Sequence, residues 1–201
     1  MNTAPSTTRR ILVIEGHPDK QTPHLNQALA DAYAQGASDA GHEVRRIAVA
    51  DLDFPVLRRV SDWHQGEVPP ALKASQADIL WAQHVVFFFP LWLGEMPALL
   101  KAYLEQVARP GFAIGREGPK EFGRKPLSGR SARVVVTMGM PALVYRWYFR
   151  AHSLKALERN ILGFVGFGPI HETLVGSVEQ LGDGGVALWL ARLRRLGRKG
   201  G

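Results

Sequence analysis

His17, Thr22, His24 and Asn26 fall within ten residues, between an apolar run at residues 11–14 and a helical pattern that begins at Leu25. A helix that starts there offers unpaired N–H groups and a positive dipole, which together favour an anion. Thr22 and Asn26 can add side-chain hydrogen bonds, and both imidazoles can donate to phosphate oxygens. A plainer reading has Thr22 capping the helix and the histidines at the surface. The stretch carries neither the G-x-G-x-x-G fingerprint nor a Walker loop.

A second stretch, Phe89-Pro90-Leu91-Trp92-Leu93-Gly94, combines aromatic and aliphatic side chains around a proline and suits a flat, partly apolar ligand. A third, Thr137-Met138-Gly139-Met140-Pro141, has a glycine where a backbone must turn or approach a ligand closely. Its N–H groups could donate to a polar ring edge. Downstream, Tyr145, Tyr148 or Phe149, and His152 share one face if the segment is a continuous helix. That face reads either as a core or dimer-contact stripe, or as an aromatic wall with two proton-supplying groups. No paired carboxylates stand at an acid/base spacing, no Gly-x-Ser-x-Gly elbow is present, and His42-Glu43 is not a metal motif. A metal site is not expected.

The elements that must position these residues alternate. Strands are expected at residues 11–14, 43–49, 84–89, 132–137 and 170–175. Helices are expected from Leu25 to a stop at Gly41, over 71–81, through Leu100, Tyr103, Leu104 and Val107, and over 145–160. A last helix, capped by Asp183, turns Val186, Trp189, Leu190 and Leu193 to the core. Residues 51–70 read as an irregular surface excursion. Five strands alternating with helices predict an α/β three-layer sandwich with a five-stranded parallel sheet in the order 2-1-3-4-5. In such a sheet, ligands bind beyond the carboxyl ends of the strands, where the three unusual loops fall.

The 201 residues suit a single domain, with 1–8 and 197–201 expected as disordered tails. Cysteine is absent, which excludes disulfides, thiolate metal sites and cysteine nucleophiles. Any redox chemistry must then come from a bound cofactor. The start of the chain lacks the apolar core of a signal peptide, so a cytoplasmic location is expected. Of the net charge of +7, five charges come from Arg192, Arg194, Arg195, Arg198 and Lys199, with no acid nearby in sequence. Residues 116–133 hold six more Lys or Arg among glycines and prolines and read as a long surface loop. No nucleic-acid-binding module is recognisable.

With these loops in place, the chain resembles the flavodoxin-like NAD(P)H:quinone oxidoreductases, a family that includes ancillary quinone reductases of bacterial potassium-efflux systems. The resemblance runs from Arg10 to about Val178. It is most specific over FPLWLGEMPALLKAYLEQVARPGFAIG, residues 89–115, and extends to Gly16-His17-Pro18 and to TMGMP. It implies a flavodoxin-like fold with non-covalent FMN or FAD, FMN slightly preferred, and NAD(P)H as co-substrate. By resemblance, His17, His24, Leu25 and Asn26 hold the phosphate end of the flavin, and Thr22, a hydrogen-bonding side chain of the same loop, is a further cofactor-binding candidate. Phe89, Pro90, Leu91, Trp92 and Leu93 line its ring, Thr137, Gly139 and Met140 approach the pyrimidine edge, and Tyr145 stands nearby. Tyr145 and His152 are the implied proton carriers. His24 replaces a usual serine, Met140 replaces a second glycine, and His152 is offset by one position.

The expected activity is a two-electron hydride relay from NAD(P)H through flavin to a quinone or similar acceptor. A homodimer is expected, and association with a membrane surface or a transporter is compatible with the basic tail. A flavodoxin-type electron carrier and a flavin-free regulatory or interaction module are the alternatives.

Overall fold

The structure, a computed structural model, describes residues 8–115 and 125–201. Residues 1–7 of the expected N-terminal tail, and 116–124 of the expected basic loop, lie outside the described residues. Five parallel strands form one sheet in the order β2-β1-β3-β4-β5. They are β1 (Arg10–Glu15), β2 (Glu43–Ala48), β3 (His84–Pro90), β4 (Ser131–Thr137) and β5 (Ile170–Val175). The order and direction are those the alternating pattern predicts.

The three inner strands are apolar runs because both of their faces are covered. The edge strands differ. β2 carries the exposed Arg45 and Arg46 and β5 the exposed His171 and Glu172, charges that discourage further strand pairing. Helices α1 (Leu25–Asp39), α2 (Val60–His64), α3 (Pro70–Trp81) and α4 (Ala98–Val107) lie in the first half of the chain. Helices α5 (Ala142–Trp147), α6 (His152–Lys155), α7 (Gly163–Val165) and α8 (Gly182–Lys199) lie in the second. One core layer joins Leu12, Ile14, Phe87, Phe89 and Val136 to Leu72, Leu100 and Tyr103 of α3 and α4. The other joins Ile11, Val13, Val86, Phe88 and Val135 to Leu29, Tyr33 and Leu193 of α1 and α8.

Helices α1 and α8 meet at backbone distance. A Cβ on Gly36 would collide with the Arg194 carbonyl, and one on Gly197 with the Tyr33 carbonyl. The C-terminal residues are therefore not a frayed tail: α8 runs to Lys199, and Arg9 Nη1 donates to the Gly200 carbonyl at 3.0 Å. Arg194 and Arg198 also meet Asp39 at 2.8 and 3.7 Å, an acid 155 or more residues away in sequence. Asp183 lies in the first turn of α8 but does not cap it, since Leu181 holds that position.

Two further expectations are corrected. The excursion at 51–70 contains the short helix α2, held by Arg109, whose Nη1 donates to the carbonyls of Asp62 (2.6 Å) and Gly66 (2.7 Å). The expected helix over 145–160 is broken, because Arg150 and Ala151 adopt left-handed φ values of 54° and 49°. A π-helical stretch, Ala156–Leu162, then joins α6 to α7. Among the described residues no helix is long and apolar enough to cross a membrane.

Candidate functional site

The loops after β1, β3 and β4 emerge side by side, because β1, β3 and β4 are neighbours in the sheet. Two bonds lock them together at Thr137, the last residue of β4. Its carbonyl accepts the Leu91 N–H at 2.8 Å, and its Oγ1 accepts from Asn26 Nδ2 at 3.3 Å. Asn26 is buried on the first turn of α1, and its Oδ1 has no partner among the described residues. A buried acceptor costs stability unless a ligand or solvent donates to it.

In the first loop Gly16 donates to the Phe88 carbonyl at 2.7 Å, and a Cβ there would press on Leu100 Cδ2 at 2.6 Å. Glycine lets α4 close against the end of β1. The imidazoles of His17 and His24 stack at 3.6 Å between centroids, 18° from parallel. His17 also meets Trp92 edge-on at 5.6 Å, which brings the first loop against the second. His17 Nδ1 lies 3.2 Å from the Asp19 N–H and 3.3 Å from the Asp19 carbonyl, so the backbone of Asp19 engages the Nδ1 side of the ring. Burial first, and then the His24 ring, hold the His17 pKa below its usual value. His24 Nε2 bonds the Asp19 carbonyl at 2.8 Å.

Thr22 does not cap α1. Its hydroxyl donates to Asp19 Oδ2 at 2.7 Å, and His24 occupies the cap position without a side-chain bond to the first-turn N–H groups. That Thr22 bond is the main cause of a lowered Asp19 pKa, followed by the Gln21 N–H. The first turn of α1 contains no acidic residue, and Leu25, half-buried, begins it. Its N-terminus is thus free of side-chain competition for an anion.

The second loop divides into an anchored and a presented half. Phe89 and Pro90 are buried and Leu91 half-buried, whereas Trp92 is 49% exposed and Leu93 fully so. Trp92 and Glu95 exchange backbone bonds at 2.9 and 3.0 Å around Leu93 and Gly94, both at positive φ. This tight reversal is strained for leucine and projects its side chain outward. In the third loop Gly139 is exposed and Met140 half-buried, and among the described residues only Glu179 Oε1, at 3.6 Å, approaches the Gly139 Cβ position.

Tyr145 and His152 do not share the face of one continuous helix, because the left-handed break at Arg150 and Ala151 separates α5 from α6. The Tyr145 side chain is buried, its hydroxyl 3.0 Å from Ser153 Oγ and accepting the Leu154 N–H at 3.1 Å. It ties α5 to α6. His152 is exposed. Trp147, Tyr148 and Phe149 form an exposed aromatic cluster, with Tyr148 and Phe149 edge-on at 4.9 Å.

Sequence reasoning missed the loop after β5. Ser177 N–H donates to the Met140 carbonyl at 3.0 Å and Val178 N–H to that of Met138 at 3.2 Å, which braces the third loop. Gly176 was the available signal, since a Cβ there would strike the Ala142 backbone. Among the described residues no group of three His, Asp or Glu is placed to hold a metal ion.

A family profile described as a flavodoxin-like fold matches residues 9–192. The chain belongs to this flavodoxin-like family. Among its relatives is a ribosyldihydronicotinamide dehydrogenase-like protein of Penicillium crustosum, 29% identical over 65% of this chain. The matched part spans 57% of that longer relative. An FMN-dependent NADH:quinone oxidoreductase of Nitratidesulfovibrio vulgaris is 28% identical over 82% of this chain and 85% of its own. The structure of an NAD(P)H:quinone oxidoreductase from Methanothermobacter marburgensis shares the flavodoxin-like fold, with a TM-score of 0.79 at 20% identity over 96% of both chains.

Proposed function

We propose that this flavodoxin-like protein is an NAD(P)H:quinone oxidoreductase that holds FMN non-covalently across the three joined loops. The observation that carries the reading is the buried, orphaned Oδ1 of Asn26 beside Thr137, at the junction of all three. A ribityl or phosphate-end hydroxyl would supply the missing donor. The uncapped N-terminus of α1 and the Nε2 side of His17 suit the phosphate. Leu91, Trp92 and Leu93 offer an apolar wall for the ring, and Gly139 allows backbone approach to its polar edge. When bound, the flavin supplies two-electron hydride chemistry that no side chain of a cysteine-free protein provides.

The chain's own contribution is binding, orientation and exclusion of water. Trp92 and Leu93 cover one side with apolar surface, and N–H groups near Gly139 favour negative charge at the edge they meet. Tyr145 acts through α6 by positioning it, while the exposed His152 remains available to donate a proton. The exposed Leu143, Trp147, Tyr148 and Phe149 suit a homodimer contact. A cytoplasmic location and a quinone or similar small acceptor complete the reading. Any docking to a membrane surface or transporter would draw on exposed cations of α8, such as Arg195.

Release and identification of the bound flavin tests the proposal, followed by steady-state NAD(P)H oxidation with a quinone. Stoichiometric FMN and sustained turnover are expected. A purified protein that takes up neither FMN nor FAD overturns it.

A further inference from the structure

The end of the sheet opposite the candidate site carries a second concentration of polar side chains, for which the proposed reaction has no use. His84 opens β3 and pairs in register with Ser131, while Arg133 lies between Val86 of β3 and His171 of β5. Strand alternation puts His84, Val86, Arg133 and Val135 on the face covered by α1 and α8. Tyr33 of α1 reaches the same face, edge-on to Phe88 at 6.0 Å.

All three polar residues are deeply buried: Tyr33 and His84 are fully enclosed and Arg133 is 8% exposed. Each leaves one buried polar atom without a partner among the described residues, namely the Tyr33 hydroxyl, His84 Nε2 and Arg133 Nε. Arg133 Nη1 donates to Thr173 Oγ1 at 3.0 Å, and His84 Nδ1 lies 2.7 Å from Ser131 Oγ. Arg133 Nε and the Tyr33 hydroxyl are donors, and His84 Nε2 joins them in the tautomer whose Nδ1 accepts from the Ser131 hydroxyl.

The surrounding charge has one sign. Arg133 is the leading charge acting on both Tyr33 and His84, Arg9 acts on both as well, and Arg192 acts on Arg133. No carboxylate acts on any of the three among the described residues. The nearest acid along β5, Glu172, pairs with Arg146 instead, and Asp39 is taken by Arg194. A buried cation without a counter-charge is costly, and so is each unpaired buried donor. A lone water would accept some of these protons, but it brings no negative charge and two protons of its own.

We infer that Arg133, Tyr33 and His84 bind a small monovalent anion of the halide class between the sheet and the α1–α8 pair. Such an ion completes the donors and offsets the guanidinium charge. It also bridges the central strands to the two helices that cover them.

Bromide soaked into crystals of the intact protein, located by its anomalous scattering, reads the site directly. A bromide in contact with Arg133 Nε is expected. Density that scatters as water there, or bromide confined to surface arginines (an adventitious ion only), overturns the proposal. In solution, chloride should raise the urea midpoint of the wild-type protein more than gluconate does at equal ionic strength. Tyr33→Phe, which keeps the ring and removes one donor, should weaken the apparent chloride affinity about tenfold, and Arg133→Met should abolish the response. An identical chloride response in all three proteins overturns it as well. Neither readout involves flavin, so failure here is separate from failure of the oxidoreductase reading.

Discussion

Asn26 on the first turn of α1 donates to the Thr137 hydroxyl at the end of β4, joining two loops 111 residues apart in sequence. The same side chain leaves Oδ1 free in a buried position. Asn26→Ala should cost about 1 kcal/mol of stability for the lost bond. If Oδ1 serves the flavin, FMN affinity should fall by about tenfold or more, since tenfold corresponds to about 1.4 kcal/mol. Urea unfolding and fluorescence titration of the apoprotein measure the two effects separately. Unchanged FMN affinity would remove Asn26 from the site.

Trp92 is half exposed and packs against His17 only edge-on, so its replacement should leave the fold intact. Trp92→Glu puts a charge on the apolar wall, and FMN retention through gel filtration should drop sharply. Full retention would mean that the ring does not lie along this loop.

Tyr145 shows where sequence periodicity misleads. Residues 145–160 contain few helix breakers, so the pattern reads as one helix with Tyr145 and His152 on one face. The chain instead reverses through two left-handed residues, Arg150 and Ala151, which no local propensity announces. Tertiary bonds stabilise that break, notably the Tyr145 hydroxyl to the Leu154 N–H. Tyr145→Phe should therefore destabilise the protein by about 1–3 kcal/mol by leaving a buried N–H unpaired. A reduced kcat with unchanged stability would instead return Tyr145 to the proton relay.

The sheet was legible for a physical reason. Strands buried on both faces, such as the FFF run of β3, must be continuously apolar, and right-handed crossovers then restrict their order. The loops after β1, β3 and β4 were legible through residue types that regular structure does not need, such as the His17 and His24 pair. What stayed hidden depends on distant partners. Asp39 takes up Arg194, and the loop at Gly176 braces Met138 and Met140.

Gly197 gives a direct test of the α8 packing. Its Cα faces the Tyr33 carbonyl, and a methyl group there meets backbone, which cannot swing aside as a side chain can. Gly197→Ala should cost about 3 kcal/mol, at the upper end of overpacking penalties. The same change at Gly184, which has open space around it, should be neutral or slightly stabilising. Thermal unfolding of the two variants reads the contrast, and equal midpoints would mean that α8 does not dock as described.

His84 should make the protein acid-sensitive. Burial, then Arg133, Arg9 and His171, push its pKa down from 6.5 to about 3. The ring is neutral in the folded protein, whereas the unfolded chain takes up a proton near pH 6.5. Between those values the unfolded state binds more protons, so stability rises with pH and is lost as pH falls below about 6.5. The slope approaches about 1.4 kcal/mol per pH unit, which amounts to about 2 kcal/mol between pH 7.5 and 5. Urea unfolding in halide-free buffer should show this loss, and His84→Gln should remove it. A bound halide would favour the imidazolium, so chloride should flatten the wild-type profile. An equal acid loss in the wild-type and His84→Gln proteins would assign the sensitivity to other groups, His17 first, because its pKa is also held down by burial.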